Sequence, residues 1–199
     1  RGAAGADGVV LAQNVSNAAK EPAMKTLGAA AYRSCTSTLY HGPTHGAEAC
    51  FCQKAHNAAC VALPCACREG CTGFEYQNAR SISFRNSART DCSGAMLTIP
   101  RAYFADISHL GQCGTGASSL LTSMLMDGFN AYHMSVGSGP VMQCIHKAST
   151  VSVHWLHLHS FCPDGQVDGL PNKNDAYCSL MTSVGEAGEI AGKFLQLSR

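Results

Sequence analysis

The sequence predicts an α+β fold in which amphipathic helices pack on a small, mainly antiparallel sheet, with a disulfide-rich loop lobe attached. Three observations support this fold class. Helix-like apolar periodicity is strongest near the C-terminal end, short β-branched and aromatic segments occupy the middle of the chain, and six of the twelve cysteines fall between Cys50 and Cys71. A chain of 199 residues can bury one core, so we expect a single domain over residues 1–199, with residues 41–73 as the cysteine-rich lobe.

Three segments are predicted to be helical. The first covers residues 21–33, where a proline sits in the first turn and is tolerated there. The second covers residues 115–127 and is expected to end at Gly128, because glycine readily adopts the left-handed conformation that closes a helix. The third covers residues 177–195, where apolar side chains recur every three or four positions. We expect a disulfide bond at Cys178 and tertiary packing to hold this last helix.

The strand predictions depend on alternation and on β-branched or aromatic content. Residues 82–84 and 96–99 predict two short strands separated by a turn. Residues 141–145 and 151–159 give the strongest strand signals, and the two segments could pair through a turn near Lys147. Residues 164–175 are rich in Gly, Pro, Asn and Asp and predict a loop.

The cysteine count predicts disulfide bonds and therefore an oxidising compartment. An even number of cysteines leaves no thiol over, which is typical of secreted or cell-surface proteins. We expect Cys65 and Cys67 to have separate partners, because residues two apart on an extended chain cannot readily bond to each other. At least part of the cluster is expected to bond outside it. The predicted disulfide cysteines are Cys35, Cys50, Cys52, Cys60, Cys65, Cys67, Cys71, Cys92, Cys113, Cys144, Cys162 and Cys178.

The cluster from Cys50 to Cys71 also has an alternative interpretation as a zinc site, because closely spaced thiolates can hold zinc ions together. Disulfides are favoured for two reasons. Zinc sites commonly contain paired Cys-x2-Cys motifs, and zinc in the cluster would leave the six dispersed cysteines unexplained.

Charge and hydropathy exclude some classes of partner. The chain has 14 Lys and Arg against 13 Asp and Glu, a formal net charge of +1, and the basic residues are scattered, so nucleic-acid binding is not expected. No apolar run approaches the ~20 residues of a membrane span. Asn14 begins an Asn-Val-Ser sequon and is a candidate glycosylation site, in agreement with a secreted or extracellular surface location.

A second group of interest is His154, His157 and His159. On a regular strand His157 and His159 share one face while His154 points to the other. Two imidazoles on one strand face are a common start of a zinc site, but the sequence does not identify a third ligand. His146, His133 and Asp164 qualify only if the fold brings them close. The favoured interpretation is that His157 and His159 line a polar strand face, because a lone His-x-His motif is a weak signal of a metal site.

The sequence therefore leaves two functional hypotheses. The leading one is a secreted or cell-surface protein without enzymatic activity, cofactor or assigned catalytic residue, whose cross-linked loops present a binding or protective surface to an unidentified protein or small ligand. The alternative is an extracellular zinc-dependent hydrolase or hydratase that uses His157 and His159 as metal ligands.

Overall fold

A computed structural model describes residues 40, 42–57, 60, 64–67, 70–71, 73–87, 92–163 and 176–199. Within these ranges the predicted α+β class is confirmed. The helices are α1 (Gly46–Lys54), α2 (Ile107–Gly111), α3 (Thr115–Val136) and α4 (Ala187–Leu197). The strands are β1 (Tyr76–Gln77), β2 (Ser81–Arg85), β3 (Met96–Pro100), β4 (Val141–His146), β5 (Leu158–Phe161) and β6 (Ala176–Met181). The predicted helix over 21–33, the sequon at Asn14, Cys35 and the predicted loop over 164–175 lie outside the described residues.

The six described strands form one antiparallel sheet in the order β1-β2-β3-β5-β4-β6. The predicted pairing of the segments on either side of Lys147 is confirmed, because β4 and β5 are antiparallel neighbours. Strand β5 therefore lies between β3 and β4, in the middle of the sheet. One cross-strand row runs through directly opposed residues of four strands: Leu97, His159, Cys144 and Cys178.

The sheet is covered on both faces, and alternation along each strand decides which residues point to which side. On the helix face, Met96, Val141, Leu158 and Met181 pack with residues of α3 and α4. On the lobe face, Ile82, Phe84, Leu97 and Ile99 pack with Phe51 of α1 and with Trp155. The row through His159 belongs to the lobe face, since Leu97 lies directly opposite it.

Helix α3 continues through Gly128 to Val136, so the expectation that Gly128 ends it is wrong. A Cβ atom at Gly128 would lie 2.7 Å from Ser160 Oγ and 2.9 Å from Thr98 Oγ1. The glycine therefore permits a close approach between α3 and the middle of the sheet, which stabilises the helix by tertiary packing. Beneath it, Gln143 Nε2 donates to Ser160 Oγ at 3.0 Å, and the Thr98 hydroxyl bonds to Ser83 Oγ at 2.8 Å.

The predicted C-terminal helix is wrong over its first part. Residues 176–181 form β6, paired with β4, and α4 begins only at Ala187. A capping box separates the two elements: the Ser183 side chain accepts from a backbone N–H while the Glu186 carboxylate accepts from the Ser183 N–H at 3.0 Å. This motif marks a helix N-terminus and starts the short 3₁₀ turn before α4.

The predicted strand over 151–159 is also shorter than expected, because only Leu158–Phe161 is a strand. The preceding residues bond elsewhere. The Trp155 indole donates to the Pro100 carbonyl at 3.2 Å, and the Leu156 N–H donates to the Phe104 carbonyl at 2.7 Å. These contacts keep the first part of this segment from pairing with β4, while its last residues continue in line with β5.

The predicted formation of disulfide bonds is confirmed, and five are described. Three close within the lobe: Cys50–Cys67, Cys52–Cys60 and Cys65–Cys71. The other two, Cys92–Cys162 and Cys144–Cys178, join the sheet and its flanking segments. Cys113 is disulfide-bonded as well.

Two expectations about the cluster can be compared with these bonds. Cys65 and Cys67 have separate partners, as expected from their spacing. The expectation that part of the cluster bonds outside it is wrong, since all six cluster cysteines pair with one another. The helix α1 explains this, because it places Cys50 and Cys52 where the loop cysteines Cys67 and Cys60 can reach them.

Candidate metal centre

Three histidines meet on the lobe face of the sheet. His146 is the last residue of β4, His159 is the second residue of β5, and His157 directly precedes β5. Because Cys144 lies opposite His159 in an antiparallel pair, residue 146 lies opposite residue 157. Alternation then directs all three side chains to the same face.

The rings are close enough to share an ion. Their centroids are 5.0 Å apart for His157 and His159, 5.3 Å for His146 and His159, and 6.0 Å for His146 and His157. One ligand nitrogen from each ring lies within 4.8 Å of the other two. Among the described residues, no Cys, Asp or Glu belongs to this group.

A backbone carbonyl fixes the orientation of His157. Its Nδ1 lies 2.7 Å from the Trp155 oxygen. Because a carbonyl only accepts hydrogen bonds, Nδ1 must carry the proton, and the lone pair of a neutral ring is then on Nε2. Metal-ligating histidines are usually held in this way, with one ring nitrogen donating to a carbonyl or carboxylate and the other free to bind. The Trp155 side chain, anchored on Pro100, keeps that carbonyl in place.

The other two imidazoles have buried nitrogens without a hydrogen-bond partner. Neither nitrogen of His159 is paired within the described part of the chain, and Nδ1 of His146 is also unpaired. A buried polar atom left without a partner costs about 1–3 kcal/mol. Such atoms are uncommon in folded proteins. An ion between the rings would bind one nitrogen of each ring, and so would take up at most one of the two unpaired nitrogens of His159.

Burial keeps the three imidazoles neutral. Desolvation lowers the pKa of His157 to about 4, although its hydrogen bond to the Trp155 carbonyl acts in the opposite direction. Burial also lowers the pKa of His159 well below its usual value, with smaller contributions from His157 and His146. The pKa of His146 is lowered by burial alone. At neutral pH the rings therefore have the uncharged form that coordinates metals.

The surroundings of the centre are apolar. The Phe51 ring of α1 lies edge-on to His157 with centroids 5.5 Å apart, so the lobe covers this side of the group. Cys144, directly opposite His159, is joined to Cys178. The exposed fractions of His146, His157 and His159 are 5%, 7% and 8%. The group is thus closed to large ligands but not completely sealed.

The remaining histidine and acidic candidates behave differently. His133 lies on α3, beyond the other face of the sheet, where its Nε2 is 2.6 Å from the Gly139 carbonyl oxygen. His154 is exposed and does not join the group. Asp164 lies outside the described residues.

The cysteine cluster contains a second group of close ligand atoms, from Cys65, Cys67 and Cys71. All three are in disulfide bonds. Because zinc binds thiolates, these sulfurs are not zinc ligands in the oxidised protein.

His146, the third member of the histidine group, is only a conditional candidate from the sequence. A signal for it was present. The segments around Lys147 were predicted to pair, and a pair that aligns residues 144 and 159 places residue 146 beside 157 and 159. The register was unknown, however, because it depends on where the Trp155 side chain anchors the incoming segment.

No known protein family, curated protein or solved structure matches this chain. In the described part of the protein, none of the helices combines the length and hydropathy needed to cross a bilayer. The disulfide-rich structure is compatible with an extracellular protein.

Proposed function

We propose that this chain is an extracellular, disulfide-stabilised protein that binds one zinc ion through His146, His157 and His159. The single observation that supports this proposal is the unpaired state of the buried His159 ring, whose two nitrogens have no partner among the described residues. An ion bound by one nitrogen of each ring relieves much of that cost, and zinc is the divalent ion most often held by neutral imidazoles.

The distances fit zinc after a small adjustment. Tetrahedral zinc with Zn–N bonds of about 2.0–2.1 Å separates its ligand nitrogens by about 3.3 Å. The three nitrogens already lie within 4.8 Å of one another, so each pair needs to close by about 1.5 Å at most. Rotation of the imidazole rings about their side-chain bonds supplies such a movement without a change in the sheet.

A bound ion is compatible with both functions predicted from the sequence. In a secreted or cell-surface protein without enzymatic activity, the ion would brace β4 against β5 beneath a surface that binds a protein or a small ligand. In a zinc-dependent hydrolase or hydratase, the fourth position would hold the reacting water. The second function is favoured by one observation, since the group offers three histidine ligands from the described residues, the number of protein ligands typical of catalytic zinc.

Metal analysis of matched variants tests the proposal. The disulfide-intact protein is stripped with a chelator, reloaded with zinc, and examined by elemental analysis and calorimetric titration. We expect one zinc per chain. Loss of a residue that only hydrogen-bonds to a metal ligand already costs about 10–100-fold in metal affinity, so replacing His146, His157 or His159 by alanine should weaken binding by at least about 100-fold.

The matched control is His154→Ala, because this histidine belongs to the same segment but is exposed and outside the group. It should retain the wild-type affinity for zinc. Far-ultraviolet circular dichroism verifies that every variant is folded. A folded protein that takes up no zinc, or that binds zinc equally well in all four variants, would refute the proposal.

A further inference from the structure

The charge of the zinc-loaded histidine group limits which ligand can occupy the fourth coordination position. Three neutral imidazoles contribute no negative charge, and the group contains no thiolate or carboxylate from the described residues. With zinc bound, the centre would therefore have a net charge of +2 from these components. Charged groups in an apolar interior are costly unless they are paired, with an effective penalty of several kcal/mol per ion.

Two carboxylates on the helices that cover the sheet, one on each face, are committed elsewhere. Glu48 of α1 accepts from the His154 N–H at 2.8 Å. Asp127 of α3 lies on the helix face, where it accepts from Asn78 at 2.7 Å and from Ser81. Neither residue belongs to the histidine group. Within the described part of the chain no carboxylate joins the histidine group, so a charged fourth ligand would supply the compensation there.

The cover over the centre limits the size of that ligand. Phe51 lies edge-on to His157, and none of the three imidazoles is more than 8% exposed. A peptide or a sugar cannot reach a metal in this position without displacement of α1. A ligand of two to four atoms needs only the small opening that remains.

We infer that the zinc-loaded centre takes a small monovalent anion as its fourth ligand, of the size of azide, cyanate, thiocyanate or bicarbonate. The inference rests on the proposed zinc binding and adds its ligand class. A monoanion lowers the net charge of the buried centre from +2 to +1, whereas a neutral ligand leaves it unchanged. Ligand exchange at zinc requires no redox step: the anion replaces a bound water, which leaves as water.

Cobalt(II) substitution tests the inference, because cobalt(II) absorbs visible light in a way that depends on its coordination whereas zinc does not. The stripped, disulfide-intact full chain is loaded with cobalt(II) and titrated with azide and with thiocyanate at constant ionic strength. We expect the visible bands to shift and to saturate at one anion per cobalt. Sodium perchlorate, a poorly coordinating monoanion, is the control and should leave the spectrum unchanged.

The outcomes separate the two proposals. If neither cobalt nor zinc is taken up, the proposed function fails. If cobalt binds with His146, His157 and His159 required, but the spectrum does not respond to azide or thiocyanate, the anion inference fails while metal binding stands. A spectral shift with perchlorate as large as that with azide or thiocyanate would also overturn the anion inference.

A second variant tests the size limit. Phe51→Ala removes the ring that lies edge-on to His157 and should allow benzoate, which is larger than bicarbonate and should have little effect on the wild-type spectrum, to shift the cobalt bands. The Phe51→Leu variant keeps apolar cover and serves as the matched control. If benzoate shifts the spectrum of the wild-type protein as strongly as azide does, the proposed limit on ligand size is wrong.

Discussion

At the scale of single residues, the buried histidines have opposite effects on the stability of the fold with and without a bound metal ion. In the metal-free protein, His157 and His159 are neutral, desolvated and in part unpaired, so they cost stability. With an ion bound, the same nitrogens become ligands. The protein therefore keeps three titratable groups in a place where apolar residues of similar size would pack at lower cost.

The first prediction concerns the stability of the metal-free protein as a function of pH. The folded-state pKa values of His146, His157 and His159 are lowered, to about 4 for His157, whereas in the unfolded chain they return to about 6.5. Below about pH 6.5 the unfolded chain therefore binds more protons than the folded one. The free energy of unfolding should fall as the pH is lowered from about 6.5 towards about 4.

Urea unfolding at a series of pH values measures this dependence. The variant His159→Leu places an apolar side chain without a proton site in the same buried position, so its unfolding midpoint should vary less with pH than that of the wild-type protein. The exposed His154→Ala variant is the control and should keep the wild-type slope. If His159→Leu shows an unchanged slope, the assignment of the pH dependence to the centre is wrong.

At the scale of elements, the fit between α3 and the sheet depends on one small residue. Gly128 lets the helix backbone approach Thr98 and Ser160 closely. Close to this contact, Gln143 Nε2 of β4 donates to the Leu125 carbonyl of α3 at 2.9 Å. The helix thus lies directly over β3, β5 and β4. The histidine group lies on the opposite face of these strands. A rigid helix face supports a rigid metal-ligand geometry on the opposite side.

The second prediction is that Gly128→Ala destabilises the protein although alanine is the better helix former. A Cβ at this position overlaps Ser160 Oγ and Thr98 Oγ1. Overpacking of this kind costs about 1–3 kcal/mol, which exceeds the ~1 kcal/mol gained in helix propensity. The free energy of unfolding, measured in urea, should therefore decrease by about 1 kcal/mol.

Gly192→Ala is the matched control for this change. Gly192 lies inside α4, and a Cβ there meets no atom within 4 Å. Its replacement should raise stability by up to about 1 kcal/mol. If both variants change stability in the same direction, the close approach at Gly128 does not have the assigned role.

The elements also show which strands can be predicted from local sequence patterns alone. Strands β2, β3 and β4 were predicted because each has its apolar residues in a short, bounded segment. Strand β6 was mistaken for helix because the apolar side chains at Tyr177 and Leu180 are three residues apart and so fit a helical repeat. Its strand state depends on pairing with β4, which is a contact distant in sequence.

The candidate metal centre, too, could be predicted from the sequence only in part. The spacing of His157 and His159 made them candidate ligands only in the alternative zinc hypothesis. The contribution of His146 depends on the register of β4 against β5, which is set by the anchoring of Trp155 on Pro100. No local pattern contains that information, because it arises from packing between segments about fifty residues apart in the chain.

At the scale of the whole molecule, the disulfide bonds divide into two sets. The three lobe bonds link residues of the lobe only to one another, so the lobe is held on the sheet by apolar packing and by hydrogen bonds such as that from the His154 N–H to Glu48. The other two described bonds join parts of the sheet and its flanks. The cover over the centre is therefore attached without a described disulfide to the sheet.

The third prediction is that disulfide mapping separates these two sets. Proteolysis of the alkylated but unreduced protein, followed by mass spectrometry, should yield linked peptides for Cys50–Cys67, Cys52–Cys60 and Cys65–Cys71. It should also yield Cys92–Cys162 and Cys144–Cys178. A peptide that links any of the six cluster cysteines to Cys92, Cys144, Cys162 or Cys178 would contradict the described pairing.

The bond between Cys144 and Cys178 has a consequence for how molecules of this protein behave towards one another. The two cysteines face each other directly across β4 and β6, and β6 is the outer strand of the described sheet. A slip of one residue would turn every side chain of that strand to the opposite face, and an outer strand is otherwise free to pair with a neighbouring molecule. The covalent link forbids both the slip and the exchange of β6 between two molecules, so strand swapping at this edge requires a reductant.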